Sequence, residues 1–217
     1  MWVKICGVRD VESARIVAAA MPDAIGLNFY PPSPRYVSPE VAAEIVRELP
    51  EGITPVGVFV NSTAEEIVSV CESGGLSHVQ LHGDEPPSLL AELRGAIPDL
   101  KIIRAFRIGP AGLGDAAVFL EQLVSLRGDL FACLLDARAD DRYGGTGRLA
   151  PWDLIRKEYD YEFWPPLILA GGLTPDNVAA GIAAVRPEGV DTASGVETAP
   201  GVKAADLVRR FVQSARQ

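Results

Sequence analysis

Short apolar runs alternate with stretches of helical periodicity from one end of the chain to the other. The apolar runs begin near Trp2, Ala24, Thr54, Ser77, Leu100, Leu130, Pro166 and Gly189, and they predict eight strands. Between them the pattern predicts helices over 10–20, 39–48, 64–72, 86–94, 115–126, 151–158, 175–185 and 203–215. Ser38 before Pro39, Thr63 before Ala64-Glu65-Glu66, and Thr174 before Pro175-Asp176 supply N-cap residues ahead of proline or acids. Strict strand–helix alternation implies parallel strands joined by right-handed crossovers. Eight such units in 217 residues predict one α/β domain over 1–217, a lean (β/α)₈ TIM barrel. A doubly wound open sheet is disfavoured, because no G-x-G-x-x-G follows the first strand and eight strands close a barrel.

Composition agrees with one large core: 48% of residues are hydrophobic and 23% charged, and the 17 prolines and 21 glycines are not massed into a linker. A net charge of −9 argues against nucleic acid or an anionic membrane as partner. An anionic substrate would need a locally electropositive site. No apolar run reaches membrane-spanning length, and the first residues lack the pattern of a secretory signal. Three cysteines without metal-type spacing fit free thiols in a reducing cytoplasm. Cys71, in a helical pattern, and Cys133, in an apolar strand, are expected to fill core space.

In such a barrel, chemistry collects where strands end. Cys6 ends the first strand and Asp136 follows the run Leu130-Phe131-Ala132-Cys133-Leu134-Leu135, so a thiol base and a carboxylic acid are candidates on one rim. Gly171-Gly172 and Ser194-Gly195 follow strands seven and eight, where backbone N–H groups can approach a phosphate closely. Arg35 sits in the proline-stiffened segment Pro31-Pro32-Ser33-Pro34-Arg35-Tyr36, suited to offering a bidentate fork to a carboxylate. Lys4 shares strand parity with Cys6 and should point into the barrel, where Asp191 on the adjacent eighth strand is its expected partner. Gln80 and His82 end strand four, with an orienting role expected for both. The loop 137–147, with Gly144-Gly145-Thr146-Gly147, reads either as a lid closing over a ligand or as an exposed loop.

This set resembles phosphoribosylanthranilate isomerase, the aldose-to-ketose isomerase of tryptophan biosynthesis. The resemblance runs through Lys4-Ile5-Cys6-Gly7, Ser33-Pro34-Arg35-Tyr36-Val37, Gly57-Val58-Phe59-Val60-Asn61 and Val79-Gln80-Leu81-His82-Gly83. It continues through Leu134-Leu135-Asp136, Gly144-Gly145-Thr146-Gly147, Ala170-Gly171-Gly172-Leu173 and 191–197. Asn28 stands where an aliphatic residue is more usual, and Ala170 and Ala193 where serine is common. The resemblance implies an Amadori rearrangement with Cys6 as general base, Asp136 as general acid and Arg35 on the anthranilate carboxylate. The phosphate falls at the glycines after strands seven and eight. Gln80, His82 and Asp191 complete the substrate-binding set with Gly171, Gly172, Ser194 and Gly195. It implies no cofactor and no metal. A small phosphosugar is the only partner expected, and the chain is expected to be a monomer or a weak homodimer.

Two other readings are open: a different phosphate-binding barrel of tryptophan or histidine biosynthesis, or a phosphosugar-binding barrel without turnover. The lysine–glutamate set of indole-glycerol-phosphate synthase and the paired aspartates of the histidine-pathway isomerase fit less well with Cys6 at the end of strand one. An acid at Asp136 must be neutral at pH 7, whereas Cys6 must ionise. Arg35 and the start of the first helix are the expected sources of positive charge near the thiol.

Overall fold

In the computed structural model, which describes residues 1–137 and 150–217, eight parallel strands close into a barrel in sequential order. The strands are β1 (Trp2–Cys6), β2 (Ala24–Asn28), β3 (Thr54–Phe59), β4 (His78–Leu81), β5 (Lys101–Ile108), β6 (Ala132–Ala137), β7 (Leu167–Leu169) and β8 (Gly189–Thr192). Each is followed by a helix: α1 (Val11–Ala18), α2 (Pro39–Glu48), α3 (Ala64–Gly74), α4 (Ser88–Ala96), α5 (Gly114–Ser125), α6 (Trp152–Glu158), α7 (Val178–Val185) and α8 (Ala205–Ala215). Closure occurs through β1 and β8, with Lys4 opposite Asp191 and Ile5 opposite Thr192.

Strand parity sorts the core into two layers, since successive side chains point to opposite faces. Val3, Ile5, Ile25, Leu27, Val79, Leu81, Cys133 and Leu135 face outward and pack under the helices. The opposite parity fills the barrel with a mix of alanine and branched side chains, among them Ala24, Val56, Ile103, Ala105, Ala132, Leu134 and Ile168. Cys71 and Cys133 are buried fillers, as expected.

The start signals at Ser38 and Thr63 act as N-caps, and Thr63 forms a reciprocal box with Glu66. The reading of Thr174 as a cap fails. The helix begins three residues later than Pro175, at Val178, and the Asn177 Oδ1 instead accepts from the Thr174 amide at 2.8 Å. The last helix is likewise shorter than expected, because Val202–Lys203 (β10) pairs antiparallel with Glu197–Ala199 (β9). Pro200-Gly201 turns that hairpin, a punctuation that the helix expectation from 203 overlooked. Among the described residues no helix is long and apolar enough to cross a membrane.

Candidate active site

The C-terminal ends of the strands open on one cavity. Its wall includes Cys6, Arg35, His82, Asp136, Gly171, Gly172, Asp191 and Ser194, so eight of the ten expected site residues meet there. Gln80 lies fully buried beneath His82, and Gly195 stands behind the wall, so close to the Leu173 carbonyl that a Cβ would fall 1.9 Å from its oxygen. The segment 138–149, with most of the expected lid and Gly144-Gly145-Thr146-Gly147, lies outside the described residues.

Cys6 is half-buried at the end of β1, opposite Gly26 of β2. Glycine there makes room for the sulfur, because a Cβ would fall 2.6 Å from Sγ. One turn of the pleat below, Lys4 points into the barrel and its Nζ donates to Asp191 Oδ1 at 2.7 Å, the partner expected from parity. Burial is the largest influence on the thiol and pushes it up; Lys4 opposes this first, Asp191 adds to it, and Lys203 and Arg35 oppose it further. The balance leaves Cys6 above its ordinary value. Arg35 is one source of positive charge at the thiol, as expected, but two lysines that were not expected there precede it. Lys4 leads, two residues before the thiol on the same strand, and Lys203, which donates to the Cys6 carbonyl, stands ahead of Arg35.

Asp136 faces the cavity from β6, with its Oδ2 3.4 Å from His82 Nε2. His82 Nδ1 is 2.7 Å from Gln80 Nε2. A glutamine N–H donated to Nδ1 leaves the imidazole proton on Nε2, facing the carboxyl. The segment that carries His82 is braced from outside the barrel: buried Arg104 meets Glu85 at 3.0 Å, and Glu85 accepts from the Gly83 and Asn61 amides. No sequence pattern singled out that brace.

Arg35 rides on the loop between β2 and α2. Asn28, the departure noted above, organises this loop: its Oδ1 accepts from the Tyr30 amide at 2.8 Å and its Nδ2 donates to Ser33 Oγ. Ser33 Oγ in turn accepts from the Arg35 amide. The guanidinium spends one edge on Glu197: Nε donates to Oε1 at 2.9 Å and Nη2 to Oε2 at 2.7 Å. A protein carboxylate thus holds that edge, and the Nη1 edge is the one left for a ligand carboxylate. Glu197 also accepts from Lys203 Nζ at 2.7 Å. Burial, the largest influence on Glu197, favours the neutral acid, but Arg35 and Lys203 together hold the carboxyl below its usual range.

On the opposite side, Gly171 and Gly172 take φ of 81° and 68°, left-handed conformations that glycine adopts without strain. A single 3₁₀ turn, Ser194–Val196, follows β8, and its first amides have no intrahelical acceptor. Lys4 and Asp191 cancel, but Arg35 and Lys203 exceed Glu197 by one positive charge, and with the two backbone turns they offer an anion the local attraction that a chain of net charge −9 needs.

Residues 3–214 match the protein family described as N-(5'phosphoribosyl)anthranilate (PRA) isomerase. The N-(5'-phosphoribosyl)anthranilate isomerase of Rubrobacter xylanophilus is 42% identical over 215 residues, covering 99% of this chain and 98% of its own. The crystal structure of phosphoribosyl anthranilate isomerase from Thermotoga maritima aligns with a TM-score of 0.82 at 35% identity, over 99% of this chain and 98% of that one. Another crystal structure of such an isomerase, in complex with reduced 1-(o-carboxyphenylamino)-1-deoxyribulose 5-phosphate, aligns with a TM-score of 0.77 at 36% identity, over 99% and 97%. The chain belongs to the N-(5'-phosphoribosyl)anthranilate isomerase family, and it is an isomerase.

Proposed function

We propose that this chain converts N-(5'-phosphoribosyl)anthranilate to its 1-deoxyribulose isomer for tryptophan synthesis, with Cys6 as general base and Asp136 as general acid. The observation that carries this reading is the meeting of the thiol and the carboxyl on one cavity, with the Gly171-Gly172 and Ser194 turns beside them. The related structure with a bound reduced 1-(o-carboxyphenylamino)-1-deoxyribulose 5-phosphate supports the substrate, since that molecule carries both a carboxylate and a phosphate.

Protonated Asp136 donates to the furanose ring oxygen, the C1′–O bond breaks, and the nitrogen lone pair forms the C=N of a Schiff base. Cys6 thiolate takes the C2′ proton, and the C–H pair becomes C1′=C2′ while the C=N electrons return to nitrogen. The enolamine then tautomerises to the ketone. Each positioned proton transfer contributes about 10²–10⁴-fold. The Nη1 edge of Arg35 receives the anthranilate carboxylate, and backbone amides at Gly171-Gly172 and Ser194 receive the phosphate, with Gly195 letting that turn pack against the Leu173 carbonyl. His82, oriented by Gln80, presents Nε2–H to Asp136 and keeps its oxygen aimed at the ring. Asp191 serves the site through Lys4. The enzyme acts as a monomer or weak homodimer in the cytoplasm.

Loss of substrate fluorescence, followed with wild type, Cys6→Ser and Asp136→Asn, tests the assignment. Both variants are expected to lose at least two orders of magnitude in kcat. Full activity in either refutes the role of that residue. Size-exclusion chromatography across a concentration series reads the oligomeric state.

A further inference from the structure

The hairpin β9–β10 folds back over the rim of the barrel and delivers one buried ammonium. Lys203 Nζ donates to the backbone carbonyl of Cys6 at 2.5 Å, to that of Ala193 at 3.1 Å and to Glu197 Oε1 at 2.7 Å. An ammonium has three donors, and here each has an acceptor on a different segment. One acceptor belongs to the strand end that bears the thiol. The second precedes the turn at Ser194, and the third grips the Arg35 fork.

We propose that Lys203 and Glu197 are positioning residues of the isomerase, a buried staple that ties the base, the phosphate turn and the arginine into one unit. The staple also sets the local charge. Arg35, Glu197 and Lys203 together carry one net positive charge beside Cys6, whereas Lys4 and Asp191 beneath it cancel. Among the described residues, the other charged or titratable groups lining the cavity with Cys6 are Asp136 from β6 and His82 after β4. Removing the ammonium alone leaves Arg35 and Glu197 neutral as a pair; removing the carboxylate alone leaves two positive charges; removing both restores one. A residue that only held the fold together would not impose that order on the thiol.

This inference rests on the reading of Cys6 as the base, so the test separates the two. The rate of iodoacetamide alkylation, read on the Cys6 peptide by mass spectrometry, is measured against pH in wild type, Lys203→Met, Glu197→Gln and the double variant. The pH profile of kcat/KM is recorded in parallel. The thiol midpoint is expected to rise by about one pH unit in Lys203→Met, fall by about one in Glu197→Gln and return near wild type in the double variant. The alkaline-rising limb of kcat/KM should move with it. Midpoints that stay put, or that shift the same way in both single variants, overturn the staple. Midpoints that split while the kcat/KM limb stays fixed leave the staple standing and overturn Cys6 as base. Should Lys203→Met fail to fold, Glu197→Gln decides alone: a lowered midpoint supports the staple and an unchanged one refutes it.

Discussion

Lys4→Met removes the ammonium from a buried ion pair inside the barrel while keeping nearly the same side-chain length. The Lys4 side chain is fully buried, its partner oxygen on Asp191 lies 2.7 Å away, and the carboxylate is itself 91% buried. At that distance and an effective dielectric of about 20, the attraction is about 6 kcal/mol, set against the loss of hydration of both groups. Deleting one partner leaves Asp191 charged and nine-tenths buried without its counter-ion, which costs about 3–5 kcal/mol. For a chain of this size that corresponds to a fall of roughly 10 °C in melting temperature, measured by calorimetry. Asp191→Asn strands the ammonium and should fall by a similar amount. The double variant buries neither charge, so it should melt above both singles. Burial, the largest influence on Lys4, works against its charged form, but Asp191 and Cys6 together lift it above its ordinary value. The stabilisation is therefore fully present below the unfolded pKa of about 10.4 and is lost as pH rises through the higher folded value. The gap between wild type and Lys4→Met should stay flat through neutral pH and close only in strong alkali. A Lys4→Met protein that melts with wild type, or a double variant whose loss is the sum of the singles, refutes the pairing as a stabilising contact.

Three further outcomes follow from the same geometry. Because burial holds the Cys6 thiol above its ordinary value, Cys6 alkylation and kcat/KM in wild type should both climb with pH beyond about 8.5; a plateau below that pH contradicts the environment described for the sulfur. Glu197 is held below its usual range in the fold, so its contribution is present above its unfolded value of about 4.3 and is lost as pH falls through the folded value. The melting gap between wild type and Glu197→Gln should therefore shrink in acid, and a gap that widens there overturns the assignment. Gly26→Ala should drive a methyl into the Cys6 sulfur and lower kcat by about 10²-fold, since displacing a reacting group by 1 Å carries that penalty; unchanged turnover would show that the sulfur has room to move.

The strand–helix alternation, the barrel count, the rim positions of Cys6 and Asp136 and the Lys4–Asp191 pair were all readable from the chain. They depend on periodicity and parity, which are properties of short windows, and on the closure of eight parallel strands, which places the first beside the last. The turn at Pro200-Gly201 was a local signal that the helix expectation passed over, but that the short strands on either side of it pair was not readable. The Lys203 ammonium reaches Cys6 across 197 positions of sequence, and no local pattern encodes that contact. The Glu197 grip on Arg35 spans 162 positions and likewise arises only when β8 closes against β1. Arg104 offered no signal either: on β5 it has the parity of the helix-facing layer, and only packing shows it bracing Glu85. Local patterning thus determined which residues stand on the rim, while tertiary closure decided which charges face the thiol. Coulomb interactions follow distance in space, and the chain order of those charges carries no trace of it.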